Sequence, residues 1–218
     1  MNALDYNDVA QFWNIGYVIK NLGLDDADCN QAVRDMQHLD YSPVFGSVFN
    51  KKRDPFRLQA QSTPMTNTLR TIHESIIEMV SVNESWVVGD WHAMKSLRGG
   101  RDQGIHHDYP TFETAKALMT TNLVQASVIV ALMDDTRLHV YPRYFGSQIE
   151  RSARRTLNLE KGDVIFFRGG LAHAGAVYRS LNVRLHCYVC IDEVPQEPDT
   201  TEAVVFHMSH CNRCLTSR

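Results

Sequence analysis

No long apolar run occurs in this chain. Its most apolar stretch, Ala126 to Met133, is far shorter than the roughly 20 residues that a membrane-spanning helix needs. The opening Met1-Asn2-Ala3-Leu4-Asp5 has neither the basic start nor the apolar run of a secretory signal. The expectation is therefore a soluble intracellular protein, cytoplasmic, with a nuclear location left open. An excess of one charge is also missing. A formal net charge of −3 argues against non-specific binding to nucleic acid. Internal repeats, low-complexity segments and linkers are absent, so residues 1–218 are expected to form a single domain. Cysteine is scarce and odd in number, at five. That suits free thiols in a reducing compartment better than a disulfide framework.

What is present fits a globular core. Hydrophobic residues make up 44% of the chain and charged residues 22%, ordinary values for a folded domain. A chain of this length buries about 70% of its unfolded surface. Residues 1–85 read mainly as a helical buttress. A short helix over Asp5 to Asn14 stops near Gly16, and Tyr17 to Lys20 forms a first strand. Asp26 to Leu39 reads as a helix with Cys29, Ala32, Val33 and Met36 on one stripe. Thr66 to Val82 reads as another, with Leu69, Ile72, Ile76, Ile77 and Val80 inward. The polar segment between them, Asp40 to Met65, has no clear periodicity and is expected to be a loop that lids the site. Residues 86–192 read as a barrel core, with strands over Trp91–Leu97, Asn122–Met133, Thr136–Tyr141, Asp163–Phe167 and Val183–Ile191. A tail, residues 193–218, follows. Strands after helices point to a mainly β, α+β protein: an antiparallel barrel with a helical layer.

The chemistry concentrates in His106-His107-Asp108 and a distant His173. On a strand, positions i and i+2 face the same side, so His106 and Asp108 can hold one ion together while His107 turns away. His173 would arrive from another strand as the third ligand. Two histidines and a carboxylate on one face of an octahedral ion leave three positions open, which suits non-haem Fe(II) oxygen chemistry. Zinc in the same three ligands is an alternative. Arg184 lies eleven residues beyond His173. In Val183 to Ile191 the residues Val183, Leu185, Cys187, Val189 and Ile191 share an apolar face, and Arg184, His186 and Tyr188 share the other. A guanidinium on the inner face of a barrel needs an anion, and a small-molecule carboxylate answers that need.

This pattern resembles the Fe(II)- and 2-oxoglutarate-dependent dioxygenases, in particular the phytanoyl-CoA dioxygenase-like branch. Phe12-Trp13-Asn14-Ile15-Gly16-Tyr17-Val18-Ile19-Lys20-Asn21 is similar to its opening helix and strand. Gln103-Gly104-Ile105-His106-His107-Asp108-Tyr109-Pro110 is similar to its metal-strand motif. Gly162-Asp163-Val164-Ile165-Phe166-Phe167-Arg168, His173-Ala174-Gly175 and Asn182-Val183-Arg184 resemble its closing strands. The resemblance implies a double-stranded β-helix, a jelly-roll form. It implies Fe(II) held by His106, Asp108 and His173, with 2-oxoglutarate chelating the metal and pairing its distal carboxylate with Arg184, and O2 as the oxidant. The implied outcome is oxidation of a substrate C–H bond, usually hydroxylation, with release of succinate and CO2.

Further assignments are softer. Gln125 shares a strand face with Ser127 and is placed to hydrogen-bond the cosubstrate if that face looks inward. Asn122 is a second cosubstrate candidate on the opposite face, which would need a bulge between them. Gln103 is expected to steady the metal strand. Tyr109 and Arg168 are candidates for the substrate entrance, against the alternatives of a packing aromatic and a rim charge. The spacing Cys187-x2-Cys190-x20-Cys211-x2-Cys214 resembles a zinc pattern, with His207 and His210 nearby. Residues three apart on a strand face opposite sides, however, so Cys187 and Cys190 would need a bulge to share an ion. Lys51-Lys52-Arg53 and Arg151, Arg154, Arg155 are basic clusters that read more readily as solvated surface than as a phosphate site. A small-molecule substrate is favoured over nucleic acid or protein. The competing class is a metal-binding or regulatory barrel without turnover.

Overall fold

The computed structural model describes residues 3–50, 52–192, 194 and 200–207. In chain order the elements are α1 (Tyr6–Ile15), β1 (Tyr17–Asn21), α2 (Asp26–Asp35), β2 (Ser42–Phe45), β3 (Arg53–Gln61), α3 (Asn67–Val80) and β4 (Trp86–Ser96). Then come β5 (His106–His107), α4 (Thr111–Thr121), β6 (Ala126–Ala131), β7 (Thr136–Val140), β8 (Gln148–Ile149), a short 3-10 turn at Arg151–Ala153, and β9 (Arg155–Leu159). The last are β10 (Asp163–Arg168), β11 (His173–Gly175), β12 (Asn182–Ile191), β13 (Glu202–Ala203) and β14 (Val205–Phe206). Among the described residues no helix is long and apolar enough to cross a membrane.

The helix ends follow local chemistry. Asp5 caps α1 by accepting the Asp8 N–H at 2.8 Å, and the Asp8 carboxylate accepts the Asp5 N–H in return. This reciprocal pair satisfies two donors that a helix start otherwise leaves open. Asp25 and Asp28 repeat it on α2. Gly16 ends α1 with φ +98°, a left-handed conformation that costs glycine little.

A seven-stranded sheet runs β1-β10-β6-β12-β4-β3-β2, and a five-stranded sheet runs β13-β5-β11-β7-β9. Except for the parallel β8–β14 pair, neighbours are antiparallel. The larger sheet is buried on both sides, apolar on the outer one and in part on the inner one. Its outer face packs Val128, Val130, Phe166, Leu185, Cys187 and Val189 against helix residues such as Phe12, Leu69, Ile72 and Ile76. Its inner face gives Ile129, Ala131, Ile165 and Phe167 to a second cluster with Leu138, Val140 and Leu159 of the smaller sheet. This is the double-layered β architecture with a helical cover that the sequence predicts.

Several boundaries differ from the sequence reading. Asp40 to Met65 is not a loop: it contains the β2–β3 hairpin, which extends the larger sheet at the edge of β4 and brings Val44, Phe45 and Gln59 to the cavity wall. Its polar side chains disguise the strand alternation, because an edge hairpin is wet on much of its surface. The buttress over residues 1–85 therefore also supplies three strands, β1, β2 and β3. Helix α4 lies where no helix is expected, and the predicted strand from Asn122 to Met133 shortens to β6. Pro110 precedes α4, and Asn122 closes it in the left-handed conformation with φ +61°. Proline near the start and asparagine past the end are helix signals.

Phe12 is the main tie between α1 and the larger sheet. It is fully buried, stacks on Phe166 with ring centroids 4.8 Å apart, and meets Trp86 edge-on. Phe12→Ala is expected to cost about 3–5 kcal/mol by cavity formation. Asp5→Ala, which removes only the cap, is expected to cost about 1 kcal/mol. Urea unfolding followed by circular dichroism measures both, and equal losses would contradict this ranking.

Candidate metal and cosubstrate site

The smaller sheet brings the two histidines together. His106 on β5 and His173 on β11 are direct cross-strand partners, with ring centroids 4.3 Å apart. Asp108 follows in the bend after β5, on the same side as His106. One ligand atom from each of the three lies within 4.8 Å of the others. Asp108 Oδ1 is 3.8 Å from His106 Nε2 and 3.4 Å from His173 Nε2. His107 turns away, as expected, with Nδ1 3.5 Å from Glu202 Oε2.

Backbone carbonyls set the imidazole orientation. His106 Nδ1 is 2.8 Å from the Gly104 carbonyl, and His173 Nδ1 is 2.9 Å from that of Leu171. A carbonyl only accepts, so each Nδ1 carries the proton and each Nε2 can direct a lone pair toward the shared centre. Such outer partners are a regular feature of metal-binding histidines. Asp108 Oδ2 accepts a hydrogen bond from Ser127 Oγ at 2.6 Å, which leaves Oδ1 facing the imidazoles.

The electrostatics agree with a cation site. Burial pushes the His106 imidazole down to about 3, and neighbouring His173 adds to the effect. Burial also opposes charge on His173, but Asp108 beside it lifts the net value above the ordinary range. Burial alone would raise Asp108, yet His173 and His186 hold its carboxyl well below the usual range. Asp108 is thereby held in its ionised form and His106 in its neutral form, the forms in which a carboxylate and an imidazole ligate a cation.

Arg184 on β12 lies in the same cavity, 5% exposed. It donates to Ser96 Oγ at 3.0 Å, and its guanidinium carbon is 5.6 Å from the centre of the Tyr178 ring. Burial lowers its pKa, Tyr178 opposes this, and Arg57 lowers it further. Among the described residues it forms no ion pair with a carboxylate. A buried cation without a counter-charge is costly, so this position fits an anionic ligand.

The other predicted residues divide. Gln103 behaves as expected: its amide donates to the Phe45 carbonyl at 3.0 Å and accepts the Gly175 N–H at 3.2 Å, tying the segment before β5 to β2 and β11. Asn122 is exposed at the end of α4, outside the cavity. Gln125 is buried but does not line the cavity, and its backbone carbonyl accepts the Gly169 N–H. Tyr109 is fully buried rather than at an entrance; its hydroxyl donates to the Val189 carbonyl at 3.3 Å. Arg168 lies against the Trp13 and Phe145 rings and donates to the Trp13 carbonyl, so packing accounts for it. Tyr109 and Arg168 flank Gly169, where an added Cβ would lie 2.2 Å from the Tyr109 ring. That tight turn buries both side chains.

Sequence reasoning gave no role to several polar contributors to the cavity wall, among them Gln59, His92, His186 and Thr201. His186 was visible in the alternation with Arg184 and Tyr188. His92 is its cross-strand partner on β4, a pairing no local pattern reveals. Cys187 joins the outer core, whereas Cys190 lies 3.7 Å from the Tyr109 hydroxyl on the other face, so the two do not offer one ion a joint thiolate pair. The register shift in β12 does not bring them to one side. His210, Cys211 and Cys214 lie outside the described residues.

The tail closes the site. β13 pairs with β5, placing Ala203 opposite His106, and Thr201 lines the cavity. Pro110 gives α4 no side-chain cap, and Glu202 supplies one by accepting both the N–H and the hydroxyl of Thr111.

No family model and no curated protein matches the chain. Solved structures do. HygX from Streptomyces hygroscopicus with nickel and 2-oxoglutarate bound aligns with a TM-score of 0.67 at 9% identity, covering 91% of this chain and 92% of that one. A second HygX structure also holds hygromycin B, with a TM-score of 0.64 at 8% identity over 87% and 88% of the two chains. The non-haem α-ketoglutarate-dependent epimerase SnoN from nogalamycin biosynthesis aligns at 0.61 with 14% identity, over 91% and 84%. The chain thus has the Fe/2-oxoglutarate dioxygenase-like jelly-roll fold.

The Glu202 cap has a measurable consequence. Burial alone would raise its pKa, but the Thr111 hydrogen bonds and His107 leave it below the ordinary glutamate value of 4.5. A depressed folded value means that its contribution is present in full above the unfolded value and is lost as pH falls through the folded one. Glu202→Ala is expected to cost about 1 kcal/mol at pH 7. The difference from the parent should shrink in acid, as read from thermal unfolding between pH 7 and pH 3; a difference independent of pH would contradict the cap.

Proposed function

We propose that the chain is an Fe(II)- and 2-oxoglutarate-dependent oxygenase that oxidises, most simply by hydroxylation, a C–H bond of a small molecule. One observation carries the reading. Two carbonyl-oriented histidines and a carboxylate converge on one point, and a buried guanidinium with no carboxylate partner among the described residues lines the same cavity. His106, Asp108 and His173 would hold the metal, and their donor set suits Fe(II) with open positions. Arg184, with Ser96 fixing its guanidinium, would take the distal carboxylate of 2-oxoglutarate. The chemistry so supplied is decarboxylation of 2-oxoglutarate to succinate and CO2, coupled through O2 to substrate oxidation.

The protein's own work is placement and exclusion of water. Phe167, Leu138 and Ile129 form an apolar wall beside the polar residues, lowering the local dielectric around Asp108 and Arg184. Gln59, His92, Tyr188 and Thr201 line the rest of the cavity, where a substrate would lie. Hygromycin B in the HygX structure supports a small-molecule substrate class. The net charge of −3 agrees, since an oligonucleotide would meet little positive field.

Anaerobic, iron-loaded protein titrated with 2-oxoglutarate is expected to develop a visible metal-to-ligand charge-transfer band. His173→Ala should abolish it. Arg184→Ala should preserve it but demand at least tenfold more 2-oxoglutarate, the loss of one charge-assisted contact. No band in folded, iron-loaded parent protein would overturn the reading.

A further inference from the structure

We infer that Ser127 and His186 are positioning residues that restrict Asp108 to holding a metal through Oδ1 alone. The inference rests on reading His106, Asp108 and His173 as a metal site. A carboxylate can ligate through one oxygen or two, and the choice fixes how many positions stay open for other ligands. In this chain the two oxygens of Asp108 face different partners. Oδ1 faces both imidazole Nε2 atoms, at 3.8 and 3.4 Å. Oδ2 accepts from Ser127 Oγ at 2.6 Å and has His186 Nε2 3.7 Å away.

These two neighbours come from the larger sheet, whereas the ligands belong to the smaller one and the bend beside it. Ser127 on β6 and Tyr188 on β12 are cross-strand partners, and His186 sits opposite Ile129 on the same pair of strands. Ser127 is fully buried, and the Tyr188 ring meets His186 edge-on at 4.7 Å. Rotation of the carboxylate toward two-oxygen ligation would break the short Ser127 hydrogen bond inside a buried site. An unmet hydrogen bond there is costly, so the rotation is opposed. Ser127 stands out in β6: it is the hydroxyl in the otherwise apolar Ala-Ser-Val-Ile-Val-Ala, and it donates to Asp108 Oδ2.

Titration of the full-length apoprotein with Co(II) tests this without turnover, by reading the dissociation constant and the visible cobalt spectrum. Asp108→Ala checks the site itself. Ser127→Ala and His186→Ala are each expected to weaken binding about 10- to 100-fold, the usual effect of losing an outer partner. Both should also change the band envelope as the coordination geometry shifts. His186→Gln, which retains an N–H donor at similar reach, should recover most of the loss, a rescue that mere packing would not produce. Parent-like affinity and spectra in Ser127→Ala and His186→Gln, together with parent-like affinity in His186→Ala, would overturn the inference while leaving the metal site standing. Failure of the parent to bind Co(II), or indifference to Asp108→Ala, would overturn both.

Discussion

A carboxylate buried between two buried imidazoles is the constraint on which the rest of this structure depends. Asp108 is 7% exposed, and His106 and His173 are each 4% exposed. Stripping water from an ion costs several kcal/mol unless partners replace it, and removing one partner of a buried pair costs about 3–5 kcal/mol. Every element near the site answers that demand. Two backbone carbonyls orient the imidazoles, a hydroxyl takes one carboxylate oxygen, and the remaining donor atoms face one another. The arrangement is costly as a protein alone and well suited to a divalent cation at its centre.

The larger sheet makes this affordable because it is buried on both faces. β12 shows how: Val183, Leu185, Cys187 and Val189 join the helix-side core, while Arg184 and His186 line the inner cavity. The apolar burial that stabilises the strand is carried by one face, which frees the other to hold polar groups. β6 does the same with Val128 and Val130 outside and Ser127 inside. The helices α1 and α3 are therefore not remote from function. Without their cover the outer face would be wet, and the inner face would lose the rigid base that fixes Ser127 and Arg184.

The sequence made the candidate metal ligands legible because the period of two puts His106 and Asp108 together while excluding His107. It made Arg184 legible through the same alternation. The fold class was legible from the order of the elements: helical stripes over Asp26 to Leu39 and Thr66 to Val82, then a succession of strands from Trp91 onward. What failed was of two kinds. The β2–β3 hairpin and α4 carry polar, half-exposed surfaces that hide their periods. Gln125 and Asn122 were placed by the faces of a strand expected from Asn122, but α4 runs up to that residue and β6 begins only at Ala126; Tyr109 and Arg168, expected at an entrance, are buried at the Gly169 turn. The partners His92, Gln59 and Glu202 arise from cross-strand registry and from the returning tail, which no local window contains.

The site also spans the two sheets, and that joins ligand binding to folding. His106 and His173 belong to the smaller sheet; Ser127 and Arg184 belong to the larger. A ligand contacting both groups is bound only when the sheets are docked in register. Anything that binds the folded state alone stabilises it, by about 2.7 kcal/mol at a hundredfold excess over its dissociation constant. The unliganded state carries a cost of its own, since the buried Arg184 has no counter-ion among the described residues. The tail strand β13 adds to the same closure, since it pairs with β5 only when β5 is already in place. Stability and site assembly are thus one cooperative event: the polar groups that weaken the empty barrel are those that make it selective for an occupied one.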